Sequence, residues 1–375
     1  MKNAFPAVSR RRFLMGASRW SGLCTVASCF PRFALRGSFL DESRLKKPII
    51  DKGFALVRPI GDGVYATISD RAKGMQTRSN GGFILGRDAV LLIEGFQTPE
   101  GASFQINALR MVSRVPIRGA ILTHFHFDHS LGSSFYGGNN IPVWAHIKVA
   151  HRMIEKYPTW QVESRDRFIA PWLERVRRAD TDAERQHAQS DVDGLLGMFD
   201  PVTQNVLALP NHPLNPSDMP MTLDLGKLSV VIESYPGHTD TDLIIRVPDQ
   251  NIVFSGDLLV NAQYPTNIDG QPTPWRATLA KFAQFDRETL FVPGHGAPCG
   301  LEAVTLLITI FDDIAEQAEK MYKSGVPIDE AVEGYVVPEK WKNFRRFSWG
   351  FTIGRTIQQL YSEWQGKPEN ILTYY

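Results

Sequence analysis

Cysteine is scarce, with three residues in a chain of 375. None of them forms a CxxC pair, so a disulfide framework, a zinc ribbon and a dithiol redox motif are excluded. Net charge is scarce too: 41 Lys+Arg stand against 40 Asp+Glu, a formal +1, which argues against a general nucleic-acid binder. No apolar run approaches the roughly 20 residues that a membrane-spanning helix requires. No GxSxG is present, so no strained nucleophilic serine is signalled. At 43% apolar and 22% charged residues, the composition excludes disorder, collagen-like repeats and a polytopic membrane protein. The length suits one large domain or two, and no internal repeat is visible.

Acid is absent from residues 1–40, where Lys2, Arg10, Arg11, Arg12, Arg19, Arg32 and Arg36 fall. The remainder carries 34 Lys+Arg and 40 Asp+Glu, a net of −6. Ser9-Arg10-Arg11-Arg12-Phe13-Leu14 resembles a twin-arginine export signal, followed by a short apolar stretch from Trp20 to Phe30. Val26-Ala27-Ser28 before Cys29 reads either as a cleavage site or as a lipoprotein box. Residues 1–40 are therefore expected to be a signal peptide and linker. The mature protein is expected to be periplasmic or otherwise exported, touching the membrane only if Cys29 is lipidated.

From Phe54 the chain reads as short strands with tight turns: Phe54–Arg58, Val64–Ile68, Gly82–Leu85 and Ala89–Glu94. Pro99–Val112 has helical spacing, and Gly119–Thr123 reads as a buried strand. Residues 145–200 read as a helical insertion carrying Trp160, Phe168, Trp172, Leu173 and Val176, and 201–222 as an irregular loop. A second strand set follows at Leu228–Ser234, Leu243–Val247, Ile252–Ser255 and Leu290–Val292, with a helix over Trp275–Phe285. Residues 301–375 are expected to be helical, with Val304, Leu307, Phe311, Ile314, Ala318 and Met321 on one face.

The chemical signal is Thr123-His124-Phe125-His126-Phe127-Asp128-His129, three imidazoles and a carboxylate within six residues after a strand. Imidazole nitrogen and carboxylate oxygen are the ligand types of zinc and its neighbours. Alternate residues on an extended segment point the same way, so His124 and His126 can converge on one ion. Three strand ends repeat the theme: Pro236-Gly237-His238-Thr239, Ser255-Gly256-Asp257 and Pro293-Gly294-His295-Gly296. Each places a ligand-capable residue beside a glycine that lets the backbone bend.

This ordered set resembles the metallo-β-lactamase superfamily, whose pattern is HxHxDH, then GH(T/S), GD and GH. The likeness covers about residues 50–300. It implies an α/β fold, a four-layer αβ/βα sandwich with the metal site at one edge. Here that sandwich spans 41–300, interrupted by the insertion at 145–220 and followed by a helical C-terminal extension over 301–375. By the same resemblance His124, His126 and His238 hold a first ion, Asp128, His129 and His295 a second, and Asp257 bridges them. Two Zn²⁺ fit best, with Fe or Mn as alternatives. Asn267-Ile268-Asp269-Gly270, Trp275 and Val292–Gly296 look closest to exported metallohydrolases of quinoprotein relay systems. An aspartate at 257 is the glyoxalase II-like pattern and departs from the lactamases proper.

The implied function is an exported, dinuclear zinc-dependent hydrolase acting on a small-molecule ester, thioester, lactone or amide through metal-activated water, with Asp128 as the catalytic residue orienting the nucleophile. Alternatives within the fold are an iron-dependent persulfide dioxygenase and a phosphodiesterase or nuclease; a non-catalytic binding protein is disfavoured by the complete ligand set. Arg165, Arg167, Arg175, Arg177 and Arg178 are interleaved with Asp166, Glu174 and Asp180, the pattern of a solvated helix face rather than an RNA surface. Trp160, Phe168 and Trp172 either roof the site or pack the insertion onto the sandwich. His146 ends a strand and either packs there or faces the cleft. His151, His187 and His212 read as surface or loop residues, and Cys299 as a buried, inert thiol.

Overall fold

A computed structural model describes residues 40, 42–156, 162–179, 185, 188, 189, 192, 196, 207–344 and 350–367. The export-type segment, Trp160, His187 and the side chain of Phe168 lie outside the described residues. Two sheets form the centre. The first runs β1 (Ile50–Asp51), β2 (Ala55–Gly61), β3 (Val64–Ser69), β4 (Gly81–Leu85), β5 (Val90–Ile93), β6 (Ile117–Ile121), β7 (Val143–His146) and β8 (His212–Leu214), in that spatial order. The second comprises β9 (Met221–Asp224), β10 (Ser229–Ser234), β11 (Leu243–Val247), β12 (Ile252–Val260) and β13 (Leu290–His295), with β13 and β9 at its edges. Each sheet is antiparallel through its hairpins and turns parallel where helices intervene, at β5–β6–β7–β8 and at β12–β13.

Period-two alternation explains the layering. Leu91 and Ile93 of β5 face inward, where they meet Val230, Ile232, Ile245, Phe254 and Val292 of the second sheet. Val90 and Leu92 face outward onto Phe104, Ala108 and Leu109 of α1 (Pro99–Val112). The hydroxyl of Thr98 accepts from Gly101 N at 3.1 Å, and Pro99 opens the first turn, so this helix starts where its sequence dictates. Two short helices follow, α2 (Phe127–Ser130) and α3 (Ser134–Gly138), then α4 (Val149–Lys156) and α5 (Val162–Arg178). On the far side, α6 (Pro272–Phe282) and α7 (Leu301–Lys323) cover the second sheet through Trp275, Leu279, Phe282, Leu307 and Phe311. The layers are helix, sheet, sheet and helix, the metallo-β-lactamase sandwich.

Beyond α7, α8 (Ile328–Gly334) and α9 (Arg355–Trp364) enclose Tyr264, Ile314, Tyr335, Trp341, Ile357 and Tyr361. Among the described residues no helix is long and apolar enough to cross a membrane.

Two local expectations need correction. The segment 201–222 is not wholly irregular: β8 pairs with β7, and β9 opens the second sheet. Three residues containing Pro213 are too short for a period to show, and proline is tolerated because β8 is an edge. β12 does not stop at Ser255 but continues to Val260, with register shifts on both sides of Gly256. Leu173 is exposed, whereas its neighbours Ile169, Trp172 and Val176 pack with Phe127, Leu131 and Leu207.

The inter-sheet layer is a continuous buried apolar cluster, and Phe254 sits in it at 1% exposure. Phe254→Ala is expected to cost about 3–5 kcal/mol of unfolding free energy in a denaturant titration. A change below about 1 kcal/mol would contradict the packing described.

Candidate metal centre

All seven predicted ligand residues converge at one edge of the sandwich. His124 and His126 lie on the loop leaving β6, and Asp128 and His129 on the short α2 that follows. His238 is on the β10–β11 loop, Asp257 in the irregular part of β12, and His295 is the last residue of β13. Their ligand atoms form three groups, each within 4.8 Å: His124, His126 and His238; Asp128, His129 and His295; and His124, His129 and Asp257. The third group takes members from both of the others, so the Asp257 carboxylate lies between them. Its Oδ1 is 3.3 Å from His129 Nε2, and its Oδ2 is 3.4 Å from His238 Nε2 and 3.3 Å from His295 Nε2. Asp128 Oδ2 is 3.3 Å from His295 Nε2.

Glycines permit this crowding. A Cβ on Gly294 would fall 1.8 Å from Asp257 Oδ1, and one on Gly256, which has φ +52°, would fall 2.5 Å from Thr123 Oγ1. The bulged backbone at Gly256 aims Asp257 into the centre from within a strand rather than from its end.

The side chains fit a cation. His124 Nε2 is buried without a hydrogen-bond partner. His238 Nε2 and His126 Nδ1 face each other at 2.9 Å, an arrangement in which a shared proton takes the place of a cation. Burial, then the neighbouring imidazoles, hold His124 well below the ordinary histidine range, and burial lowers His238 to about 3. Both are neutral lone-pair donors at physiological pH. Burial alone would raise the Asp257 carboxyl, but His295, His129 and His238 outweigh it and keep it well below the usual range. Asp128 is treated likewise by His129, His295 and Arg78. Burial would lower His129, yet Asp257, Glu94 and Asp128 raise it well above normal. Two buried anionic ligands thus draw positive charge toward this spot.

Outer contacts hold the rings. Asp269 Oδ2 lies 2.9 Å from His126 Nε2, leaving Nδ1 turned inward. Glu94, 1% exposed at the end of β5, lies 3.1 Å from His129 Nδ1 and accepts from Thr123 Oγ1, which is 3.0 Å from His124 Nδ1. Ser79 Oγ donates to Asp128 O at 2.7 Å, and Asn80 Nδ2 donates to Pro293 O and Gly296 O. Arg78, 2% exposed, sits with Nε 3.7 Å from Asp128 Oδ2. Sequence reasoning missed Glu94, Arg78 and this role of Asp269. The available signal for Glu94 was a carboxylate closing the fully apolar run Val90–Ile93.

The centre opens into a cleft. Phe125, Phe127, Leu131, Met153, Leu207 and Ile268 give it apolar walls, and Arg71, Arg78 and Lys156 give it basic ones.

The metallo-beta-lactamase superfamily model matches residues 75–295. The chain belongs to the metallo-beta-lactamase superfamily. A linear primary-alkylsulfatase of a Pseudomonas species is 20% identical over 295 residues, 74% of this chain and 54% of that one, so the chain spans about half the length of that relative. An uncharacterized protein of Mycobacterium tuberculosis is 26% identical over 223 residues, 56% of this chain and 81% of that one. Among solved structures, a metallo-beta-lactamase from Pseudomonas aeruginosa in a mono-zinc form is similar, with TM-score 0.48 and 20% identity over 73% of this chain and 97% of that one. The described residues of this chain include His/Asp groups able to hold a metal ion, in keeping with that superfamily.

The remaining candidates sort by contact. His146 Nδ1 accepts from Lys148 N at 3.1 Å, a local contact at the start of α4 and not a cleft wall. His151 pairs with Glu155, and His212 is exposed and stacks on Trp144. Arg177 and Arg178 pair with Glu174 on a solvated face. Cys299 is buried against the second sheet, where burial raises its thiol well above normal. Trp172 packs with the cleft-lining Phe127 and Leu131 and does not itself line the cleft.

Gly294→Ala tests the crowding. The added methyl must displace the Asp257 carboxylate, so metal content after dialysis is expected to fall sharply while the far-ultraviolet spectrum keeps its shape. Full metal content would contradict the geometry.

Proposed function

We propose that the protein is an exported, dinuclear zinc hydrolase of small-molecule esters, thioesters, lactones or amides. The observation that carries this reading is the convergence of seven imidazole and carboxylate side chains from both sheets at the head of a cleft with apolar and basic walls. His124, His126 and His238 would hold one ion, Asp128, His129 and His295 the other, and Asp257 both. The mixed nitrogen and oxygen donor set favours zinc. Bound divalent ions supply Lewis acidity toward the scissile oxygen and bring the pKa of water near neutrality.

The chain's own residues do the rest. Asp128 lines the cleft and is kept unprotonated, so it accepts a hydrogen bond from the attacking water and orients it. Arg78 stands beside Asp128, against the ring of Phe127, and meets negative charge that develops on the substrate. The apolar walls bind the substrate's hydrocarbon part and exclude bulk water. Export is supported by Ser9–Leu14 and the acid-free residues around it.

The zinc-loaded chain is expected to hydrolyse members of a panel of small esters, thioesters, lactones, β-lactams and alkyl sulfates. Combined His124→Ala and His126→Ala should reduce turnover to background and remove one of two zinc ions per chain. Retained turnover in that variant would sink the assignment. For export, Arg10→Lys with Arg11→Lys is expected to leave a fused periplasmic reporter in the cytoplasm; unchanged export would contradict the twin-arginine reading.

A further inference from the structure

The helix α4 follows β7 and lines no part of the predicted ligand motif, yet it reaches both loops that carry His126 and His238. Arg152 and Lys156 are four residues apart on one face of α4, and Lys148 lies in the turn just before the helix. Arg152 grips Asp240 in a fork, with Nε 3.1 Å from Oδ1 and Nη2 2.7 Å from Oδ2, and Lys148 Nζ adds a contact at 3.1 Å. Asp240 is two residues beyond His238 on the same loop. One turn further along α4, Lys156 Nζ is 2.8 Å from Asp269 Oδ1. The other oxygen of that carboxylate takes His126 Nε2 at 2.9 Å. His126 Nδ1 and His238 Nε2 face each other at 2.9 Å. Asp128, His129 and His295 are held from elsewhere, with Glu94 on His129 and Arg78 beside Asp128.

We infer that the basic face of α4 is a positioning element for one half of the metal centre, with Lys156 acting through Asp269 on His126 and Arg152 acting through Asp240 on the His238 loop. The inference rests on the metal centre proposed above. Its physical basis is the buried Asp269 carboxylate, 3% exposed. With Lys156 beside it the carboxylate stays in place and fixes the His126 ring with Nδ1 inward. Without that cation a buried anion is costly, and the carboxylate withdraws from the imidazole. Loss of such an outer contact typically lowers metal affinity by about 10–100-fold.

The test measures zinc affinity by chelator competition in two backgrounds of the full chain. His295→Ala leaves the His124, His126 and His238 group intact, and His238→Ala leaves the Asp128, His129 and His295 group intact. Lys156→Met is expected to weaken zinc binding by about 10–100-fold in the first background and by less than about threefold in the second. Lys156→Arg is expected to restore most of the loss, and Arg152→Met to act in the same direction as Lys156→Met. The d–d bands of cobalt bound in the first background should shift with Lys156→Met, which a merely structural role would not produce. Equal losses in both backgrounds, or no loss in the first, would overturn the inference. An unmodified chain that binds no zinc would instead overturn the metal centre on which it rests.

Discussion

A buried carboxylate among three imidazoles is the constraint around which the rest is arranged. Asp257 lies within 3.4 Å of His129, His238 and His295, and is 6% exposed. In such a place an anion survives only if positive charge comes to it. Protonated His129 partly supplies that charge, and a divalent cation supplies it better. The folding problem of this chain is therefore to bring Asp257 to a point shared by loops from both sheets. The bulge at Gly256, the missing side chain at Gly294 and the parallel pairing of β12 with β13 solve it.

The outer contacts follow from the same constraint. An imidazole that presents one nitrogen to a cation needs the other one fixed, and three of the four histidines besides His295 have such a partner in reach: Thr123 at His124, Asp269 at His126 and Glu94 at His129. These partners are themselves buried, so each needs its own support. Glu94 takes the Thr123 hydroxyl, and Asp269 takes Lys156. The metal centre thus extends outward into α4, a helix that supplies none of the seven converging side chains. The loop carrying Asp269 also leans on the C-terminal helices, through Asn267 Nδ2 donating to Thr356 Oγ1 at 3.3 Å and Tyr264 against Trp341.

Much of this was legible in the sequence, and the reasons are physical. HxHxDH and the three glycine-flanked strand ends are local patterns, and local patterns survive without knowledge of the fold. The helix Pro99–Val112 and the strand Leu243–Val247 were visible because helical spacing and a short apolar run are local too. What was hidden depends on residues far apart in the chain. Glu94 lies 29 positions from Thr123, and Asp269 lies 143 from His126. A lone acid gives no sign of which distant histidine it will meet. Edge strand β8 was hidden for another reason: three residues with a proline carry no period. The continuation of β12 past Ser255 was hidden because Gly256 reads as a turn while acting as a bulge.

The central claim is that the seven converging side chains hold two ions with Asp257 between them. Anomalous scattering collected on both sides of the zinc edge, from crystals of the chain purified with zinc, tests it most directly. The account predicts two zinc peaks, one against His124, His126 and His238 and one against Asp128, His129 and His295, with the Asp257 carboxylate touching both. A single peak away from Asp257, or no peak in this cluster, would contradict it.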